Sequence, residues 1–135
     1  MLVVDYTLRE NGDELVNKHR ELKSFRDACE VIDQYPWIAE IEKTEELGEG
    51  GGFYFFRDEG DKHASFQLTP IETDRAFLDM EVVQKSGFLG LFGRKSLHKD
   101  FETVTIPEAK ALIKDLFDHT VDSLYGKYSK KGKSR

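Results

Sequence analysis

The strongest constraint on the fold is a pair of neighbouring segments that alternate apolar and polar residues. Ala64-Ser65-Phe66-Gln67-Leu68 and Ala76-Phe77-Leu78-Asp79-Met80-Glu81-Val82 each place an apolar side chain at every second position. Successive side chains on a strand point to opposite faces, so such a segment packs one face and wets the other. Leu2, Val4, Tyr6 and Leu8 repeat the pattern, interleaved with Val3, Asp5, Thr7 and Arg9. The Asn11-Gly12 pair that follows is a strong hairpin signal and predicts a return strand near Glu14 to His19, with Leu15 opposite Leu8. A helix capped by Asp13, with Leu15, Val16, His19 and Leu22 on one side, is the competing reading of that stretch. Trp37, Ala39 and Ile41 form the inward row of a further expected strand. Phe53 to Phe56 adds another, and Leu97 to Ile106 the last, with Phe101 and Val104 its clearest apolar positions. Tight Gly- or Asp-rich connections leave no room for helical crossovers, so the strands are expected to pair antiparallel.

Two helices complete the expected fold. Thr105-Ile106-Pro107-Glu108 has the form of a capping box with proline in the first turn. After it, Ala109, Leu112, Ile113, Leu116, Phe117, Val121, Leu124 and Tyr128 recur at spacings of three and four, which predicts one long amphipathic helix. A shorter helix, about Ser24 to Gln34, is expected to be capped by Ser24 and ended near Pro36. The predicted class is α+β: a single antiparallel sheet of roughly five to seven strands, with both helices on one face and the other partly open. The 135 residues suit one domain, placed at residues 1–126, followed by a basic, flexible tail at 127–135.

Charge narrows the choice of partner. The formal net charge is −6, and the tail carries Lys127, Lys130, Lys131, Lys133 and Arg135 without an acid. The remaining residues therefore hold 15 basic against 26 acidic side chains, a balance of −11. Such a body repels a phosphate backbone, so nucleic acid is disfavoured and a protein partner with a basic surface is expected. No apolar run approaches the roughly 18 residues of a membrane span, and the N-terminus has no signal-peptide pattern, so a cytoplasmic location is expected. Cys29 is alone and shares a helical stripe with Phe25, Ala28 and Ile32, which makes it a buried small hydrophobe rather than a nucleophile.

Glycine-rich segments invite a phosphate-binding reading and fail it. Gly48-Glu49-Gly50-Gly51-Gly52 lies between two strand-like segments beside Glu45 and Glu46, whereas a phosphate loop feeds a helix N-terminus; a flexible hairpin loop is expected. Gly93-Arg94-Lys95-Ser96 lacks a lysine directly after the glycine. Upstream of it, Gly87, Gly90 and Gly93 recur every third residue around the pairs Phe88-Leu89 and Leu91-Phe92, with Lys85, Arg94 and Lys95 at the ends. Exposed, this loop would be an apolar patch with a cationic rim, fit for a partner's groove or a membrane interface; folded back, it would cap the core. Locally the string resembles the glycine-phenylalanine hairpin in the N-terminal domain of Jag-type RNA-binding proteins. The likeness covers about ten residues, nothing like that family's RNA-binding domains follows, and no property is carried over.

No catalytic constellation emerges. His19, His63, His98 and His119 lack HxH, HExxH or CxxC spacing, so no metal site and no cofactor is expected. No serine-nucleophile signature occurs. Asp58, Glu59 and Asp61, and the pair Glu40 and Glu42, read as solvated acids, the latter two sharing one strand face. The function expected from these features is non-catalytic protein binding, of the adaptor, chaperone or immunity-protein kind. Phe88, Leu89, Leu91, Phe92, Arg94 and Lys95, or the exposed sheet face, would supply the anchor. The alternative is a small-ligand protein or enzyme whose pocket, between sheet and helices, is lined by Trp37, Tyr54, Phe56 and Phe66.

Overall fold

The computed structural model describes residues 1–86 and 94–133. Six strands form one antiparallel sheet in the order β2-β1-β3-β4-β5-β6, made of β1 (Leu2–Arg9), β2 (Leu15–Glu21), β3 (Phe53–Asp58), β4 (His63–Glu72), β5 (Arg75–Ser86) and β6 (Arg94–Thr105). Helices α1 (Phe25–Gln34) and α2 (Trp37–Leu47) lie between β2 and β3 in the chain; α3 (Ile106–Ile113), the single turn α4 (Asp115–Asp118) and α5 (Val121–Lys133) follow β6. The fold is α+β, with the central strands covered by helices on one side.

Within the 14–22 stretch, Leu15–Glu21 form strand β2. Asn11 and Gly12 both take positive φ, 56° and 122°, as a tight β1–β2 connection requires. The pairing sets Leu8 against Val16 and Arg9 against Leu15, one position from the expected register. On β6 the two expected apolar positions, Phe101 and Val104, are three apart and cannot share a face of a regular strand. A bulge resolves this: Glu102 adopts φ 60°, its N–H donates to the Asp100 carboxylate at 2.7 Å, and the β5–β6 register shifts between Phe77 and Asp79. Phe101 then stacks on Phe66 and meets Tyr128 edge-on, while Val104 is buried with the core.

Three helical expectations need revision. Residues 37–47 form α2 rather than a strand, because Pro36, read as the stop of the first helix, also occupies the N-cap of the second. Ala39 is consequently exposed, while Glu40 and Ile41 are buried. Ser24 stands at the N-cap of α1 but makes no side-chain cap; Asp27 instead accepts the Lys23 N–H at 2.7 Å, a bond that holds the Asp27 carboxyl below its usual range. The long C-terminal helix is broken near Lys114 and again at His119, whose backbone is extended. The sheet meets the backbone groups on either side of the second break: Arg57 donates to the Leu116 carbonyl at 2.8 Å, and Glu59, paired to Arg57 at 2.6 Å, accepts from Val121 N–H. The Thr105 capping box forms as expected.

Helix α5 runs to Lys133, across the boundary placed at residue 127. Tyr128 is buried, and its hydroxyl and the Lys127 ammonium both donate to Asp115, which fastens α5 to α4. Burial alone would raise the Asp115 carboxyl; the hydrogen bonds from Lys127 and Tyr128 outweigh it and hold the group below its usual range. A carboxyl that titrates lower in the folded chain than in the unfolded one stabilises at pH above the unfolded value and loses that contribution as pH falls through the folded one. Asp115→Asn is therefore expected to cost about 1–2 kcal/mol at neutral pH. The deficit should shrink as pH drops below about 4, which urea unfolding of both proteins across that range measures.

The core is a layer of Val4, Phe53, Phe55, Phe66, Leu68, Leu78, Met80 and Val82 from the sheet against Ile32, Ile113, Leu116 and Leu124 from the helices. Each such side chain contributes roughly 1.5–3 kcal/mol by leaving water. One charged pair is also buried. Arg9 and Glu40 have side chains only 4% exposed and meet at 2.8 Å. The Arg9 backbone N–H also donates to Glu40, at 2.8 Å, and the guanidinium reaches the carbonyls of Asp13 and Glu49. Removing one partner strands the other's charge, so Arg9→Ala or Glu40→Ala is expected to cost about 3–5 kcal/mol, while Arg9→Met with Glu40→Leu should recover most of the loss in urea unfolding.

Candidate functional site on the helix-free face of the sheet

Strand alternation sends the core residues to the helices and their neighbours to the opposite face. Two ladders of directly paired residues cross that face. One runs His19, Asp5, Tyr54, Gln67, Asp79, Asp100; the other runs Glu21, Val3, Phe56, Ser65, Glu81, His98. Neither contains a lysine or arginine, and together they carry five carboxylates. Of the cations on these strands, Lys18 and Arg20 alternate to the other side, Arg20 bonding Asp27 and Glu30 on α1, while Arg75, half-exposed, shares the side of Phe77 and Asp79 at the end of β5, outside the two ladders.

The middle of the face is aromatic. Tyr54 is 37% exposed and stacks on Phe56 at 5.6 Å, and Phe77, towards one end, is 47% exposed. Three imidazoles lie against carboxylates: His19 Nδ1 is 2.6 Å from Asp5, His98 Nε2 is 3.4 Å from Asp79, and His63 Nε2 is 3.8 Å from Glu81. A groove of about 650 Å³ lies over β1–β4, lined by residues including Asp5, Thr7, Asn17, Lys18, His19, Gln67 and Thr69, with the Lys18 ammonium paired to Glu10. A smaller hollow, about 190 Å³, is lined by Ser65, Asp79, Glu81 and His98. Tyr54 and Gln67 border both.

The glycine segment forms the groove's rim. It begins as the C-cap of α2, where Gly48 takes φ 81° and its N–H donates to the Thr44 carbonyl. It is therefore a helix-to-strand connection rather than a hairpin loop. A side chain at Gly51 would meet the Thr7 carbonyl oxygen at 2.1 Å, so only glycine permits the close approach that sets the Gly52 carbonyl on the Thr7 N–H.

The sequence-predicted site residues fall into three groups. Phe88, Leu89, Leu91 and Phe92 lie outside the described residues, as does the side chain of Arg94; Lys95 is exposed at the start of β6. Trp37, Tyr54, Phe56 and Phe66 do not share a pocket. Phe66 is fully buried under the helices, Trp37 packs on Tyr35 and Phe53 at that same face, and Tyr54 and Phe56 lie on the opposite face. The alternation of β3 separates them, and core side chains occupy the space between sheet and helices. Glu40 and Glu42, assigned to one strand face, diverge on α2: Glu40 is buried against Arg9 and Glu42 is exposed.

What the sequence reading missed is the polar half of the strands. Asp5, His19, Gln67, Asp79, Glu81 and His98 occupy the wet positions of their strands, and strand order and register bring them together. Among the described residues no three His, Cys, Asp or Glu side chains are placed to hold a metal ion. Cys29 is half-buried, and burial pushes its thiol up, against nucleophilic use. No helix among the described residues is long and apolar enough to cross a membrane. Comparison of the chain with protein-family models, curated proteins and solved structures finds no match.

The adjacent residues Phe53 and Tyr54 give a direct check on the two faces. Phe53→Ala is expected to cost about 3–5 kcal/mol in urea unfolding, and Tyr54→Ala less than about 1 kcal/mol.

Proposed function

We propose that the protein is a non-catalytic, cytoplasmic binding module that docks a basic protein partner on the helix-free face of its sheet. The observation that carries this reading is the composition of the two central ladders: five carboxylates, no lysine or arginine, and an exposed aromatic centre at Tyr54. Carboxylates in such an array steer a cationic surface towards them, and desolvated aromatic rings supply the short-range contact. The loop residues Phe88, Leu89, Leu91 and Phe92 are a candidate second anchor on the sequence alone. A small polar ligand is the second reading, favoured by the groove around Asp5, Asn17, Tyr54 and Gln67.

A labelled nonalysine peptide tests the first reading. Its binding should weaken several-fold as salt rises from about 50 to about 300 mM, and by about tenfold or more in Asp79→Lys with Glu81→Lys. Reversing the exposed Glu42 and Glu45 on α2 should change it by less than about twofold. Equal losses from both pairs would reduce the effect to overall charge and overturn the assignment to this face.

A further inference from the structure

The helix-free face is divided in a way that selects among basic partners. Tyr54 and Gln67 form a ridge between the groove over β1–β4 and the hollow at β5 and β6. On the groove side stand Asp5 and Asn17; on the other stand Asp79 and Glu81. His19 Nδ1 meets Oδ1 of Asp5 at 2.6 Å, and the Asp5 side chain remains 58% exposed to solvent. Both depressions combine carboxylate with amide or hydroxyl acceptors and share an aromatic ring. A guanidinium suits that set better than an ammonium, because its planar fork bonds a carboxylate, leaves donors for Asn17 or Gln67, and stacks on a ring.

The spacing of the two depressions is fixed by the sheet. Asp5 and Asp79 lie on one ladder, on β1 and β5, with β3 and β4 between them. Three inter-strand steps of ~4.8 Å separate them by about 14 Å. An extended peptide rises about 3.3–3.4 Å per residue, so same-side residues four positions apart are about 13–14 Å apart, and those two positions apart only about 7 Å. We propose that this face receives an extended segment lying across the strands, with arginines four residues apart seated on either side of Tyr54, one on Asp5 and Asn17 and the other on Asp79 and Glu81. The inference rests on the docking reading above and deepens it by specifying the partner's side chains and their interval.

The test uses synthetic peptides of one composition, Gly-Ser chains with two arginines placed four or two positions apart, titrated calorimetrically into the full chain. The four-apart peptide is expected to bind at least about fivefold more tightly, a difference of about 1 kcal/mol. Asp5→Asn, or Asp79→Asn with Glu81→Gln, should each erase that preference while circular dichroism confirms the fold. Tyr54→Leu should weaken the arginine peptide more than its lysine counterpart. Equal affinity for both spacings, or for lysine and arginine, overturns this inference and leaves the broader docking reading standing if nonalysine still binds in a face-dependent manner. Absence of binding by every peptide, nonalysine included, overturns both.

Discussion

The buried ion pair between Arg9 and Glu40 is the constraint on which the site's geometry depends. Arg9 ends β1, Glu40 belongs to α2, and the guanidinium also holds carbonyls in the β1–β2 turn and in the glycine segment. The β1–β2 turn, α2 and the glycine segment, the last two 31 and 40 residues away, are thereby fixed to one side chain. Desolvating two charges is costly, and the pair persists because the guanidinium spreads its donors over three acceptor groups and the carboxylate takes both a side-chain and a backbone N–H. With α2 held, the chain emerging from its C-terminus must pass close over Thr7, which brings the glycine segment to the groove. A residue that reads as one polar position on an edge-proximal strand thus sets the rim of the candidate site.

How much of this the sequence disclosed follows from which physical signal each element carries. The antiparallel sheet was legible because Ala64 to Leu68 and Ala76 to Val82 alternate without interruption, and the Thr105 cap because its motif is local. Residues 37–41 misled because Trp37, Ala39 and Ile41 fit a period of two, while the acid that decides the matter, Glu40, is defined by a partner 31 positions away. Breaks in the C-terminal helix were hidden for a similar reason. The groups that meet the freed backbone, Arg57 and Glu59, belong to a strand and its turn, beyond the reach of periodicity. The open face follows from the sequence as a face, because alternation implies one; its membership does not, because Asp5, His19, Asp79 and His98 come together only once strand order and register are known.

The two faces of the sheet obey opposite rules. Under the helices, rings pack against rings: Phe53 stacks on Phe55 and Tyr6, and Trp37 closes over Phe53. On the open side, rings alternate with ionisable groups, and Ser65, 4% exposed, is the small residue that leaves room between Phe56 and Glu81 on their ladder. Such a surface is rigid, because its backbone is the same one that carries the core. A partner that lands on it meets groups already in place, and little ordering of this chain opposes the contact.

The bulge in β6 has a bearing on solubility as well as on packing. β6 is an outer strand, and an outer strand of twelve residues would offer a long row of unsatisfied amides to any extended chain in solution. The left-handed turn at Glu102 breaks that row, and the Asp100 carboxylate has already claimed the Glu102 amide. Another chain could zip along the rim for only a few residues before losing step. The kink that lets Phe101 and Val104 both reach the interior therefore also guards the border of the sheet against runaway fibre growth.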